Sequence, residues 1–357
     1  MTRITLLLLV FPFWSYGQTK DLKFIDLFNA STNDSVSCYR IPAIITASNG
    51  DVVVAIDERV PSCGDLKWSN DINIVIRRSV DNGESWTDIE TVVDFPKGQS
   101  ASDPSFILDQ ETHEIFLFYN FMDLVNEKDV YYLHVVKSTD HGKTWSQPVD
   151  ITSQISKPEW HDDFKFITSG RGIQTSSGKL LHCIVNLDHG MHVFGSDDHG
   201  ESWYLIDTPI SPANESKIVE LADGTWMINS RVNNQSLRYI HTSTDEGKTW
   251  TSMADETLID PGCNASIIRY SKASDGKKDV LIFSNAKSVK GRNNLSIRFS
   301  TDEGNTWSEG KTVYNGGSAY SSMTVLEDGD IGLFFEKDEY KENVFVRIPL
   351  EWVMSKK

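Results

Sequence analysis

The octapeptide Ser243-Thr-Asp-Glu-Gly-Lys-Thr-Trp250 decides the fold, because it recurs along the chain with small changes. The shared pattern is S-x-D-x-G-x-[ST]-W, and we call each copy a box. The five boxes are Ser79–Trp86, Ser138–Trp145, Ser196–Trp203, Ser243–Trp250 and Ser300–Trp307. Their starts are 59, 58, 47 and 57 residues apart. A period of this length is typical of stacked supersecondary units that are individually too small to bury an apolar face.

Each box has the chemistry of a tight turn. Its Asp carboxylate can accept backbone N–H bonds, its Gly can adopt a positive φ, and its Trp can pack where the chain re-enters a strand. Around the first box, strands are predicted over residues 41–46, 52–56, 72–78 and 89–93, with an Asn-Gly turn between the first two. Each unit is therefore predicted to be a four-stranded antiparallel sheet.

Similar strand patterns accompany the other four boxes and occur once more after the last box. The sixth unit lacks a box and a fourth strand of its own, and residues 23–28 can supply that strand. Closing the ring in this way would leave no unpaired strand edge. We therefore predict an all-β fold, a six-bladed β-propeller of four-stranded antiparallel blades closed by the N- and C-terminal strands. Residues 18–357 contain no Pro- or Ser-rich linker, which indicates a single domain.

The start of the chain has the layout of a secretory leader. One basic residue, Arg3, precedes an apolar run from Ile4 to Trp14, and small and polar residues follow. This pattern predicts a signal peptide over residues 1–17 and export to the periplasm or the medium. The run is too short to span a membrane, and no later segment reaches about 20 apolar residues, so no membrane span is expected.

The chain is acidic and contains few cysteines. Its formal net charge is −17, and loss of Arg3 with the leader leaves −18, which disfavours nucleic acid as a partner. An anionic substrate would require a local cluster of Arg side chains. The four Cys residues of an exported chain allow three disulfide pairings, and Cys183 and Cys263 could equally be buried thiols.

Strand direction predicts where the chemistry lies. In an antiparallel blade, the starts of the first and third strands and the ends of the second and fourth share the face opposite the boxes. Nine ionisable residues fall at such positions: Arg40, Arg59, Asp65, Asp103, Glu215, Arg231, Arg292, Tyr320 and Glu336. Any one of these residues could simply lie in a solvated loop. Arg231 and Glu336, however, end otherwise apolar strands. Because converging Arg residues are costly without anionic partners, this face is the predicted site.

The residue types on this face suggest glycoside chemistry. Three Arg residues from different blades can hold one carboxylate in their planar forks. A Tyr is a weak nucleophile at its usual pKa of about 10, so Tyr320 would need a base such as Glu215. A Tyr nucleophile suits an anomeric carbon that already bears a carboxylate, because an Asp or Glu nucleophile would be repelled.

Short motifs that contain these residues occur in a fixed order along nearly all of the mature chain. They are Arg40-Ile-Pro42, Asp57-Glu-Arg59, Ser102-Asp-Pro104, Asn214-Glu215, Asn229-Ser-Arg231, Ser318-Ala-Tyr-Ser321 and Phe334-Phe-Glu336. A single Arg-Ile-Pro motif or a single box would be weak evidence for any family, since boxes also occur in unrelated secreted propellers. The full set at these spacings resembles the bacterial exo-α-sialidases of glycoside hydrolase family 33.

The resemblance implies roles in substrate binding for five residues. Arg40, Arg231 and Arg292 would form the triad that binds the substrate carboxylate. Arg59 would line the site near the sugar 4-hydroxyl, and Asp103 would contact the substrate. The implied partners are sialylated glycans, glycoproteins or glycolipids, and a monomer is expected.

The resemblance also implies a retaining double displacement. Tyr320 would attack with Glu215 as its base, while Asp65 would protonate the leaving oxygen and later activate water. Glu336 would support Arg40 from behind. This chemistry needs no metal and no organic cofactor, so none is expected.

Three alternatives remain open at this stage. A trans-sialidase would use the same residues with a sugar acceptor in place of water. A non-catalytic sialoglycan-binding propeller would need none of Asp65, Glu215 and Tyr320. A hydrolase for deaminated sialic acid would differ in the acetamido pocket.

One local feature lies outside the family's core pattern. Cys38 and Cys63 flank Arg40 and the loop that carries Asp65, and both fall on the predicted active face. We therefore expect these two residues to form the disulfide, which would brace that loop.

Overall fold

The computed structural model describes residues 22–355, so the predicted signal peptide lies outside the described residues. The described chain is built of antiparallel sheets in a propeller-like arrangement, with only two short α-helices, α1 (Thr152–Ile155) and α2 (Leu350–Met354). No helix within residues 22–355 is long and apolar enough to cross a membrane.

The strands follow one another with short connections. The first half of the chain contains β1 (Phe24–Asn29), β2 (Cys38–Thr46), β3 (Val52–Arg59), β4 (Ile72–Ser79), β5 (Glu90–Val93), β6 (Gln99–Leu108), β7 (Ile115–Asp123), β8 (Tyr132–Ser138), β9 (Val149–Asp150), β10 (Lys165–Ile167), β11 (Gly170–Arg171) and β12 (Ile173–Gln174). The second half contains β13 (Leu180–Asn186), β14 (Gly190–Ser196), β15 (Tyr204–Ile210), β16 (Ser216–Glu220), β17 (Trp226–Ser230), β18 (Leu237–Ser243), β19 (Thr251–Ile259), β20 (Ser266–Ser271), β21 (Val280–Ala286), β22 (Asn293–Ser300), β23 (Lys311–Val325), β24 (Ile331–Lys337) and β25 (Glu342–Ile348).

Hydrogen bonding groups these strands into five sheets, where the sequence predicts six. Two sheets are simple four-stranded meanders, β2 to β5 and β16 to β19. The largest sheet has seven strands in the order β1-β25-β24-β23-β22-β21-β20. There are five sheets and not six because β23 is long enough to pair with β22 through its first half and with β24 through its second half. The predicted fifth and sixth units are therefore joined in one ladder.

The third predicted unit is also less regular than expected. Its first strand is replaced by three short strands, β10, β11 and β12. β10 and β12 pair with β13, whereas β11 leaves the sheet and pairs in parallel with β6. This crossover lets β11 contact β2, β6 and β23.

The ends of the chain meet as predicted. β1 pairs antiparallel with β25, with Phe24 opposite Val346 and Asn29 opposite Glu342. Phe28 is 1% exposed and packs against Tyr39 and Phe334, with ring centroids 5.4 and 5.9 Å away. The N-terminal strand thus covers the edge that β25 would otherwise expose.

The boxes are hydrogen-bonded turns of nearly identical geometry. In the fourth box, the Ser243 hydroxyl accepts the Gly247 N–H at 2.8 Å and donates to Asp245 at 2.8 Å. Both Asp245 oxygens also bind Thr249, at its N–H and its hydroxyl. Gly247 has φ +81° and Glu246 has φ +57°, so each box places two successive residues in the left-handed region.

Apolar side chains fill the spaces between neighbouring sheets. The largest core cluster joins β2, β3 and β4 to β6, β7 and β8 through fully buried residues such as Ile45, Val53, Phe106 and Leu117. Four of the predicted polar residues lie in, or directly before, the strands β2, β6, β16 and β23: Arg40, Asp103, Glu215 and Tyr320.

Candidate active site

Three strands that carry predicted site residues contain a bulge beside those residues. The register of β2 shifts between Arg40 and Ala43, and the register of β6 shifts between Ser102 and Ser105. β23 has a similar shift between Ser318 and Ser321. A bulge redirects a side chain and often occurs beside a functional site.

Seven of the nine predicted residues line one cavity on the face opposite the boxes. These are Arg40, Asp65, Asp103, Glu215, Arg231, Arg292 and Tyr320. The rest of the lining is largely apolar and aromatic: Ile41, Leu66, Lys67, Trp68, Tyr131, Phe164 and Phe166. The other two predicted residues, Arg59 and Glu336, are buried directly behind the lining and bond to it.

A phenol and a carboxylate from different sheets meet at the centre of the cavity. The Tyr320 hydroxyl donates to Glu215 Oε2 at 2.7 Å, and Arg231 Nη1 is 3.2 Å from the same hydroxyl. Arg231 is also ion-paired with Glu215. Burial, and then the charge of Glu215, raise the pKa of Tyr320 well above its usual value. The phenol is therefore neutral at pH 7, and Glu215 is positioned to accept its proton.

Three guanidinium groups surround this pair. Arg40 Nε donates to Glu336 Oε1 at 3.1 Å, and Glu336 also accepts the backbone N–H groups of Ile41 and Tyr320. The guanidinium carbons of Arg40 and Arg292 lie 5.7 and 5.3 Å from the Tyr320 ring centroid. Among residues 22–355, Arg292 forms no ion pair with a carboxylate. Of the three guanidinium groups, Arg292 is therefore the one without a carboxylate at ion-pair distance, which leaves it available to an anionic ligand.

Asp65 lies at the rim, on a loop held by a buried arginine. Its side chain is 61% exposed and accepts from Arg59 Nη1 at 2.7 Å. Arg40 Nη1 is 3.6 Å from the same oxygen. Burial would raise the pKa of Asp65, but the charge and hydrogen bond of Arg59, together with the charges of Arg40 and Arg292, outweigh it, so the pKa is lowered.

Arg59 supports the loop and does not line the cavity, although the family resemblance predicts contact with substrate. Its side chain is fully buried, and it binds Asp57 through Nε and Nη2 at 3.1 and 2.8 Å. Its Nη1 donates to the carbonyl oxygens of Cys63 and Gly64. The guanidinium therefore fixes the backbone on which Asp65 is carried.

Asp103 lies beside a second carboxylate. Its backbone N–H donates to Asp57 Oδ1 at 2.9 Å, and its side chain accepts from Asn120 at 3.0 Å. Burial, and then repulsion from Asp57, raise the pKa of Asp103 to about 8. At neutral pH a protonated Asp103 can donate a hydrogen bond into the cavity.

The predicted disulfide is confirmed. Cys38 and Cys63 are bonded, with a Cα–Cα distance of 5.6 Å. Cys63 lies two residues before Asp65, so the bond ties the Asp65 loop to β2. Cys183 and Cys263 are buried free thiols, as the alternative interpretation of those two residues allows.

The structure adds two residues that the sequence interpretation did not assign. Asp57 anchors Arg59, and its place two residues earlier on β3 puts both side chains on one face of the strand. Tyr340 follows β24 and touches both Arg40 and Arg292. The strand-direction reasoning would have placed Tyr340 on the active face, but nothing in its local sequence marks it. Trp68 also lines the cavity, whereas Phe121, Met122 and Trp160 do not.

Comparison with known proteins confirms the resemblance that the motifs predict. The family model for the BNR repeat-like domain matches residues 67–333. A sialidase of Micromonospora viridifaciens is 35% identical over 329 residues, which cover 84% of this chain and 50% of that protein. A sialidase of Bacteroides fragilis (strain YCH46) is 30% identical over 335 residues, which cover 85% of this chain and 61% of that protein.

Solved structures agree with this result. The Hadza microbial sialidase Hz136 matches with a TM-score of 0.84 and 27% identity, over 93% of this chain and 69% of that structure's chain. The chain therefore belongs to the BNR repeat-like family and is similar to sialidases. It spans half to about three fifths of the length of these two curated relatives.

Proposed function

We propose that this protein is an exo-α-sialidase that removes terminal sialic acid from glycoconjugates with retention of configuration. The observation that carries the proposal is the Tyr320–Glu215 hydrogen bond at the centre of three guanidinium groups. A base-paired phenol beside a carboxylate-binding cluster is the arrangement that a Tyr nucleophile requires. The similarity to curated sialidases supports the same conclusion.

Substrate binding follows from the charges. Arg40, Arg231 and Arg292 hold the sialic acid carboxylate, and Arg292 contributes the cation that the protein's own carboxylates leave unpaired. Protonated Asp103 offers a donor to the sugar within the same cavity, whose lining also includes the aromatic residues Tyr131, Phe164 and Phe166.

The chemical step begins at the phenol. Tyr320 attacks the anomeric carbon as Glu215 takes its proton, and Asp65 protonates the departing glycosidic oxygen. A covalent tyrosyl–sugar intermediate results. Asp65, now a carboxylate, activates the water that attacks this intermediate, and free sialic acid leaves with its original configuration.

We infer that the sheets form a ring of six blades within one catalytic domain over residues 18–357. The seven-stranded sheet counts as two blades, because β23 pairs with β22 through residues 311–317 and with β24 through residues 318–325. β1 completes the last blade. An experimental map in which these strands form a single blade would contradict this count.

Hydrolysis of a fluorogenic sialoside is the direct test. Turnover by the wild-type protein, with the α-anomer released first in proton NMR, is the expected result. Absence of turnover alongside measurable sialoside binding would favour the non-catalytic binding protein instead. Repeating the assay with differently linked sialyllactoses would define linkage preference.

Two further arms separate the remaining alternatives. Added lactose should leave the products unchanged for a hydrolase, whereas a new sialylated product would indicate a trans-sialidase. A substrate with deaminated sialic acid should be cleaved more slowly than the acetylated one. Export after loss of residues 1–17 is part of the proposal and is tested by N-terminal sequencing of the mature protein.

A further inference from the structure

Tyr340 lies on a turn of unusual backbone conformation between β24 and β25. Asp338, Glu339 and Tyr340 have φ values of 49°, 58° and 69°, so three successive non-glycine residues are in the left-handed region. Each such residue costs free energy, because its Cβ approaches the following carbonyl oxygen. A run of three persists only where the surrounding contacts hold it in place.

The contacts that hold this turn converge on its first residue. The Asp338 carboxylate accepts the Tyr314 hydroxyl at 2.7 and 2.8 Å and Lys337 Nζ at 2.7 Å. The Asp338 N–H donates to the Gly317 carbonyl oxygen at 2.8 Å. The turn is thereby fixed to β23, three residues before Tyr320.

The turn presents one aromatic side chain to two of the three guanidinium groups. The Arg40 guanidinium carbon lies 4.0 Å from the Tyr340 ring centroid, which is close cation–π contact. Arg292 Nη1 donates to the Tyr340 hydroxyl at 3.2 Å. Tyr340 also packs against the buried cluster that contains Ile41 and Tyr320.

Tyr340 orients Arg292, as carboxylates orient the other two arginines. Glu336 holds Arg40 and Glu215 holds Arg231, whereas Arg292 has no carboxylate partner within the described chain. A neutral hydroxyl orients Arg292 without neutralising it, so its charge stays available to a ligand. The ring face meanwhile stabilises Arg40 and keeps the two cations at a fixed separation.

We propose that Tyr340 is a positioning residue for the carboxylate-binding site, setting the spacing of Arg40 and Arg292 before substrate arrives. The inference rests on the proposed function for the identity of the ligand. Tyr340 does not contact the Tyr320–Glu215 hydrogen bond, so its loss should weaken carboxylate binding equally in the ground state and the transition state. Such a loss raises KM and leaves kcat nearly unchanged.

Three variants test the role on a fluorogenic sialoside. Tyr340→Leu should raise KM about tenfold with kcat within about threefold of wild type. Tyr340→Phe keeps the ring and loses the hydroxyl, so it should raise KM only about threefold. Glu339→Ala is the matched control, because this exposed side chain belongs to the same turn and should leave both constants unchanged.

Direct binding separates this inference from the proposed function. Titration calorimetry with free N-acetylneuraminic acid should show the same order of weakening, Leu more than Phe. If the wild type binds the acid without turnover, weakened binding in Tyr340→Leu upholds the positioning role although the sialidase proposal fails. KM and Kd within twofold of wild type in both variants, or a fall in kcat at unchanged KM, would overturn it. If Tyr340→Leu does not fold, Tyr340→Phe decides alone.

Discussion

At the residue scale, the candidate site depends on a phenol that burial and Glu215 keep protonated. Replacing Tyr320 with Phe removes only the hydroxyl oxygen that would attack the sugar. We expect turnover of a fluorogenic sialoside to fall at least about 100-fold, because no neighbouring group can replace a lost nucleophile. The measurement is kcat, with the unfolding temperature as a check on the fold. Near-normal activity would refute the assignment of Tyr320.

A second residue-scale prediction concerns Asp65 and compares substrates with different leaving groups. Asp65→Ala should lower kcat/KM for sialyllactose at least about 100-fold and for an aryl sialoside much less, because only the lactose alkoxide needs a proton as it departs. An equal loss with both substrates would contradict the role of Asp65 as an acid.

The pH dependence of the same residue has a definite sign. The nearby Arg59, Arg40 and Arg292 together outweigh the effect of burial and lower the pKa of Asp65, so Asp65 becomes less protonated as pH rises. The ratio of kcat/KM for sialyllactose to kcat/KM for the aryl sialoside should therefore fall as pH rises. A ratio that stays constant up to pH 7 would show that Asp65 does not supply the proton.

Residue identities at the site were largely predictable, and their partners less so. Motif spacing and strand direction placed nine side chains on one face, and the structure brings seven of them to one cavity and the other two directly behind it. The ion pair between Asp57 and Arg59 was not predicted, because burial decides whether a charged side chain faces ligand or protein. Tyr340 was missed because its position depends on a turn conformation that the local sequence does not predict.

At the element scale, the boxes should govern stability in acid. Hydrogen bonds to Ser243 and Thr249 hold the pKa of Asp245 at about 2, and similar bonds lower it to about 2 in Asp81 and Asp140. Carboxylates with lowered folded pKa values stabilise the protein above pH 4, and this stability is lost as pH falls toward 2. Thermal unfolding across this window should show a steep fall, and Asp245→Asn should make it shallower. An unchanged slope in that variant would show that the box carboxylate does not contribute.

The disulfide gives a second prediction at this scale. Loss of the Cys38–Cys63 bond should cost about 3 kcal/mol of unfolding free energy, because it closes a loop of about 25 residues. It should also lower kcat several-fold, since the bond steadies the backbone that presents Asp65. Reductant should reproduce both effects in the wild type and add nothing in a Cys38→Ser, Cys63→Ser variant. If reductant lowered stability or kcat further in that variant, its effect would not come from the Cys38–Cys63 bond.

Strand existence and the antiparallel pairing within a unit were predictable at this scale, and pairing between units was not. The sequence pattern of the first unit located β2, β3 and β4 within a few residues. The long strand β23 and the crossover of β11 onto β6 arise from contacts between units, which no local pattern encodes. Tyr320 accordingly lies within β23, where the sequence suggested the start of a strand.

At the scale of the whole molecule, the ring depends on one strand from each end of the chain. Phe28→Ala should lower the unfolding temperature by at least about 5 °C, because it leaves a cavity between β1 and the Tyr39 and Phe334 rings. Phe24→Ala on the same strand is the control and should have a much smaller effect, since Phe24 is 38% exposed. Because β1 links the first sheet to the last, we expect the lowered transition to remain single in calorimetry. A second, separate transition would show that the two ends of the chain unfold independently, and the single-domain interpretation would then fail.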